Sequence, residues 1–308
     1  VVSPTQNRNS LIKTIFFGNY FYGICAVGLS IEASLQQEFP LNSILYYFLV
    51  FMSSVFYYTV AYVGEPTGRD VTNTREAWYI RNRERIKQRQ IILAVLIIVS
   101  SVLFLNGIWE RLWQTPLINW FLIFPFPAVA VMYYGINTRH WGGINLRKIG
   151  WLKPFVIGFT WAGFVTVFPV VFYSIEHGVD FVPEFKNVLL FIKNFMFVSV
   201  LCILFDIKDY ATDANQQLKT FVVKTGLRKT IFYIIIPLSA IGLGSFLLYA
   251  TVNQFHLFKI LLNTIPFVLL IIVAYSLQRR RAITYYLAII DGLMLVKGVC
   301  GSIAMIYF

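Results

Sequence analysis

Three carboxylates, Asp206, Asp209 and Asp213, fall within eight residues of a chain that has only 14 acidic residues in 308. At about 100° per residue they project at about 0°, 300° and 340°, so a helix presents all three within a sector of about 60°. Like charges so placed repel one another. A divalent cation removes the repulsion, and Mg²⁺ prefers one or two carboxylates, several waters and phosphate oxygens. The plainer reading is a solvated helix end neutralised by Lys208, Lys219 and Lys224, and spacing alone weighs the two equally. What favours the cation is the concentration of acids on a face that the other acids largely avoid.

The elements that must position these residues follow from composition. The chain is 58% hydrophobic, 18% aromatic and 13% charged, with a mean hydropathy of +0.68. Forty charged residues cannot clothe a soluble protein of 35.6 kDa, so lipid must cover most of the surface. Cys25, Cys202 and Cys300 all lie in apolar runs and read as small buried hydrophobes. Without CxxC or HExxH, and with only three scattered histidines, a zinc site is excluded as an expectation. The formal charge of +12 points away from nucleic acid once its distribution along a membrane chain is considered.

Nine apolar runs are long enough to cross a bilayer core of about 30 Å. They are expected at 11–34, 41–63, 90–108, 115–136, 151–174, 187–205, 230–251, 255–277 and 282–307. The first is read as a span and not as a signal peptide, because it is long and lacks a small-residue cleavage site. With nine spans, 21 of the 26 Lys and Arg fall on the N-terminal side. Arg111, Lys186, Lys193 and Lys259 are assigned to the other side, and Lys297 lies inside the ninth span. This asymmetry places the N-terminus and the basic connections in the cytoplasm, the expected host being the cell membrane. Residues 1–308 are read as one transmembrane domain with polar loops at about 64–89 and 206–229. These two loops are where chemistry is sought.

The stretch Asp206-Ile-Lys-Asp209-Tyr-Ala-Thr-Asp213, followed by Leu218-Lys219-Thr220 and an apolar run through Lys224 to Gly226, resembles the second aspartate motif of the UbiA-type intramembrane prenyltransferases. The helix count, both polar loops and the segment from Tyr133-Tyr134 to Lys153-Pro154 extend the resemblance over most of the chain. The motif itself covers about twenty residues. The resemblance implies an all-α bundle of nine transmembrane helices around a central cavity. It implies a Mg²⁺-dependent transfer of a prenyl group from a polyprenyl diphosphate to a hydrophobic acceptor, often a quinone precursor. Asp206, Asp209 and Asp213 then serve as catalytic and metal-binding residues, with Lys219 and Lys224 near the diphosphate.

The first loop departs from the family pattern. Where a second acidic motif is expected, the chain has only Glu65 and Asp70, out of helical register and separated by Pro66 and Gly68. Arginines replace it, and Arg69 and Arg75, nearest the helix mouth, are the candidates for bidentate diphosphate contacts. The competing reading is a basic loop that sets topology and touches anionic lipid. Polar residues at membrane depth mark the substrate cavity: Asn19, Asn194 and Asp291, with Tyr62 and Tyr134 toward the basic face. Asp291 is placed to receive an acceptor hydroxyl or its proton, or else to pair with Lys297 or make an interhelical hydrogen bond. The tyrosines serve as an interface belt or shield an allylic cation. The alternative to an enzyme is a member of the same fold that binds isoprenoid or lipid without transferring it, or a membrane partner subunit.

Overall fold

The computed structural model describes residues 4–63, 74–134, 146, 149–215, 218–279 and 281–308. Among them every regular element is a helix. In chain order these are α1 (Pro4–Phe17), α2 (Tyr20–Gln36), α3 (Ile44–Val63), α4 (Thr74–Arg81), α5 (Arg83–Gln114), α6 (Leu117–Ile123), α7 (Pro125–Tyr134) and α8 (Lys153–Ala162). They continue with α9 (Phe168–His177), α10 (Phe185–Asn215), α11 (Phe221–Thr225), α12 (Leu227–Thr230), α13 (Ile236–Val252), α14 (Leu257–Ser276), α15 (Ile283–Tyr285) and α16 (Gly292–Tyr307). Three π-turns, Gly163–Val167, Ile231–Ile235 and Tyr286–Ile290, join α8 to α9, α12 to α13 and α15 to α16.

The first two π-turns lead into Pro169 and Pro237, whose missing N–H and bulky ring displace the regular ladder by a residue. The third has no proline. Asp291 N–H donates to Tyr286 O at 3.2 Å across it, and the widened turn ends on Asp291 itself.

Six helical segments are long and apolar enough to cross a membrane: Arg83–Gln114, Lys153–His177, Phe185–Tyr210, Leu227–Val252, Leu257–Ser276 and Ile283–Tyr307. Leu11–Phe17 and Tyr20–Gln36 make a seventh if taken together, bent by 61°. The bend lies at Gly18 and Asn19, and Asn19 takes the left-handed conformation (φ 65°) that Asn tolerates better than most residues. Two shorter apolar helices, Ile44–Val60 and Leu117–Tyr133, occupy the places of the expected second and fourth spans.

The connections expected to be loops are largely helical. Residues 83–89 form the first turns of α5, rich in helix formers and braced by a Glu84–Lys87 pair at 3.2 Å. Residues 206–215 continue α10, and 221–225 and 227–230 are short helices.

Small residues bring α2 and α16 together. A Cβ on Gly298 would lie 2.8 Å from the carbonyl carbon of Gly28, an approach only glycine permits. Beside this seam the bundle interior holds ionic groups. Lys193 Nζ donates to Glu32 Oε1 at 3.0 Å, Gln36 Oε1 at 2.9 Å and Asn263 Oδ1 at 3.1 Å. Lys297 Nζ donates to Glu32 Oε2 at 2.5 Å. All three charged side chains are buried, which links α2, α10, α14 and α16.

This arrangement corrects two expectations. Lys193 is not a basic residue of the far side but part of the core. Lys297 pairs with Glu32 and not with Asp291, since six residues on one helix place side chains about 120° apart and about 9 Å along the axis.

Candidate functional site

Asp206 stands on α10 beyond a buried apolar run of Val200, Leu201, Ile203 and Leu204, and its side chain is 1% exposed. Lys153, at the start of α8, donates from Nζ to Asp206 Oδ1 at 2.9 Å. Asp206 Oδ2 is buried without a hydrogen-bond partner among the described residues. Asp213, two turns further along α10, is also buried, and its Oδ2 likewise lacks a partner among the described residues. Burial raises the Asp213 carboxyl to about 6, against the opposing pull of Lys153 and with help from the Asp206 and Asp209 charges. Asp209 is half-exposed and pairs with Lys208 at 3.1 Å.

The chain beyond α10 folds back over this end. Leu218 N–H donates to Asp213 O at 2.9 Å, and buried Thr220 caps α11 by accepting from Val223 N–H at 3.4 Å. Gly150, just before α8, packs on the same backbone, where a Cβ would lie 2.8 Å from Thr220 N. Glycine thus lets Lys153 approach α10 next to the Lys219-Thr220 corner. Lys219 and Lys224 are exposed and make no ion pair among the described residues.

Arg75 and Asn19, both expected at the site, meet. Arg75 Nη2 donates to Asn19 Oδ1 at 2.5 Å, and its guanidinium lies 4.4 Å from the centre of the Tyr62 ring. Asn19 Nδ2 donates to Thr59 Oγ1 and to Tyr79 Oη, each at 3.0 Å, and Tyr79 Oη donates to Phe17 O at 2.7 Å. Arg75 is therefore buried, and α4 is pinned to the α1–α2 elbow. Arg69, Glu65 and Asp70 lie outside the described residues, as does the side chain of Tyr134.

Deeper in the bundle Asp291 is 2% exposed, lies within electrostatic reach of Tyr22, and has no hydrogen-bond partner for Oδ2 among the described residues. Tyr22 stacks on Tyr58 at 4.3 Å, and Trp161 Nε1 donates to Tyr58 Oη at 2.6 Å. Asn194, also buried, donates from Nδ2 to Thr166 Oγ1 at 2.6 Å and leaves its Oδ1 without a partner. The interior thus has aromatic walls with a carboxylate on α10 at one level and another after the third π-turn.

Among the described residues no three His, Cys, Asp or Glu side chains stand together as a ready metal centre. The free carboxylate oxygens of Asp206 and Asp213 are hard ligands, and a hard ion bound by two carboxylates fills its remaining positions with water or phosphate.

Two contributors were not singled out from sequence. From sequence Lys153 reads only as a basic residue of a helix connection, and nothing local indicates its partner 53 residues away. Glu32 had a visible signal, a single acid inside an apolar run, which by itself marks a residue that needs a buried partner.

No family model matches the chain, and no curated protein matches it. A solved structure of a digeranylgeranylglyceryl phosphate synthase, from work on that enzyme's structure and mechanism in membranes, superposes with a TM-score of 0.56. The likeness covers 97% of this chain and 100% of the other at 14% identity, and so speaks to the fold. This chain is a multi-pass helical membrane protein that shares its fold with that solved synthase.

Proposed function

We propose that the protein transfers a prenyl group from a polyprenyl diphosphate to a hydrophobic acceptor within the membrane, using Mg²⁺ held by Asp206 and Asp213 with Asp209 beside them. The observation that carries this reading is the pair of buried, unpartnered carboxylate oxygens on one side of α10, with the Lys153 ammonium against them. The six long apolar segments, the bent pair and the two shorter helices are read as nine membrane crossings, with the Asp206 end toward the cytoplasm.

Bound Mg²⁺ supplies charge neutralisation of the diphosphate as it leaves. Lys153 contributes a second cation at that end, and it holds Asp206 in one orientation. Arg75, fixed by Asn19 and Tyr62, brings a permanent positive charge toward the same interior from α4. Tyr22, Tyr58 and Trp161 exclude water and present ring faces suited to a carbocation. Asp291, buried with an unpartnered oxygen, accepts in this reading the proton released by the acceptor.

A second reading is supported by the same geometry: Asp206 is already neutralised by Lys153, which suits a protein that binds isoprenoid without ionising it. The two are separated by measuring diphosphate release from a polyprenyl diphosphate by the purified protein in lipid, with Mg²⁺ and a panel of hydrophobic acceptors. Release above an Asp206→Asn, Asp213→Asn control supports the transferase. Binding of the donor without release assigns the protein to the second reading.

A further inference from the structure

Cys202 stands on α10 one helical turn deeper in the bundle than Asp206. Four residues along a helix place the two side chains on one face, about 6 Å apart along the axis. Ser199, three residues earlier, is turned to α8, where a Cβ on Gly158 would meet its Oγ. Phe205, three residues later, is turned to the third π-turn, with its ring 5.9 Å from that of Tyr286. Cys202 projects about 60° from each, into the gap between α8 and the turn that ends on Asp291. Around it Ser199, Val200, Leu201, Ile203 and Leu204 are buried, whereas Cys202 stays partly exposed and is in no disulfide.

This gap has carboxylates on two sides. Cys202 lies within electrostatic reach of Asp206, Lys153 and Asp291. Asp206 and Asp291 are 1% and 2% exposed, and each has one oxygen without a hydrogen-bond partner among the described residues. Buried oxygens in that state call for a cation or a donated proton. The thiol between them is a nucleophile: sulfur is soft and polarizable, carries lone pairs and can give up its proton.

We propose that Cys202 is prenylated by the protein's own donor when no acceptor is bound. The inference rests on the prenyl-transfer reading. With the diphosphate held at Asp206 and Asp213, an apolar chain running into the bundle has its first carbon about one turn below Asp206, level with the thiol. The bond between that carbon and the diphosphate oxygen breaks, and its electron pair leaves with the diphosphate. A sulfur lone pair forms the carbon–sulfur bond. The thiol proton passes to the unpartnered oxygen of Asp291, and the product is a neutral thioether. Capture of an allylic cation needs a lone pair and not a thiolate, so the protonated thiol suffices. Cys25 is fully buried and donates from Sγ to Asp291 O at 3.7 Å, and Cys300 lies nine residues beyond Asp291, about 14 Å along α16, so neither competes.

The test incubates the full chain in lipid nanodiscs with geranylgeranyl diphosphate and Mg²⁺, without acceptor, and locates the adduct by mass spectrometry of the intact protein and its peptides. One geranylgeranyl group per chain is expected, on Cys202. It should be lost in Cys202→Ala and in the Asp206→Asn, Asp213→Asn variant, each checked as folded by its melting profile in detergent, and kept in Cys300→Ala. Geranylgeranyl bromide, whose leaving group needs no metal, should alkylate the same cysteine without Mg²⁺, in the Asp206→Asn, Asp213→Asn variant as well. Diphosphate release to added acceptors with no adduct on Cys202 in their absence would overturn the assignment and leave the transfer reading standing. Alkylation of Cys202 by the bromide, with no diphosphate release under any condition, would overturn both. An adduct on Cys25 or Cys300 in place of Cys202 would refute the placement of the thiol.

Discussion

Lys153 Nζ lies 2.9 Å from Asp206 Oδ1, so a cation carried by α8 is fastened to the first carboxylate of the α10 cluster. Breaking a buried ion pair on one side leaves the other charge stranded, at a cost of about 3 kcal/mol. Lys153→Met should therefore lower the unfolding midpoint in detergent, and adding Asp206→Asn should recover part of the loss. A double-mutant cycle on thermal stability measures the coupling directly. Additive effects of the two substitutions would show that the pair is not coupled.

The Asp213 carboxyl, raised to about 6 by burial, is protonated below that pH and charged above it. A raised folded value means that its contribution to stability is present below the unfolded value near 3.8 and is lost as pH rises through about 6. Ligand binding runs in the opposite direction, because only the carboxylate holds a cation. Mg²⁺-dependent binding of a diphosphate analogue should strengthen between pH 5 and pH 7, and Asp213→Asn should flatten that dependence. Calorimetric titration at the two pH values reads both effects.

Glu32 offers one carboxylate oxygen to each of two buried lysines. Glu32→Gln should destabilise the bundle by about 3 to 5 kcal/mol, since two ammonium groups then lack a counter-charge. The triple variant Glu32→Leu, Lys193→Met, Lys297→Met should be closer to wild-type stability than Glu32→Gln alone. Thermal challenge followed by size-exclusion chromatography ranks the three proteins.

Arg75 fixes α4 through Asn19 and the Tyr62 ring. Arg75→Ala should increase amide hydrogen exchange across residues 74–81 by about tenfold, equivalent to about 1.4 kcal/mol of local opening. Arg75→Lys should not restore protection, because an ammonium lacks the planar fork that reaches Asn19 while covering the ring. Unchanged exchange in both variants would mean that other contacts of α4 carry its stability.

What the sequence made legible was local. The 3-and-4 spacing of Asp206, Asp209 and Asp213 is a property of one helix, and they do stand on one, α10. The long apolar runs likewise became long helices, although the second and fourth are shorter than a full crossing. Pairing across the bundle was not legible. Lys153 and Asp206 are 53 residues apart, and Lys193 and Glu32 are 161 apart, so only packing brings each pair together. Asp291 and Lys297 share one span as opposite charges, yet helical geometry turns them to different faces. The polar connections read as loops from their place between the apolar runs. Arg, Glu, Lys and Gln are good helix formers, and α5 begins among them.

The placement of Glu32 also sets an order of assembly. Its two partners are made 161 and 265 residues later, so during synthesis α2 carries an acid with neither lysine yet available. At about 5 to 20 residues per second the wait for Lys297 is on the order of tens of seconds. Over that interval the first hydrophobic hairpin must be sheltered by the insertion machinery or hold Glu32 in its neutral form. The Gly28 to Gly298 seam closes only after α16 has emerged, which makes docking of α16 against α2 a late checkpoint in biogenesis.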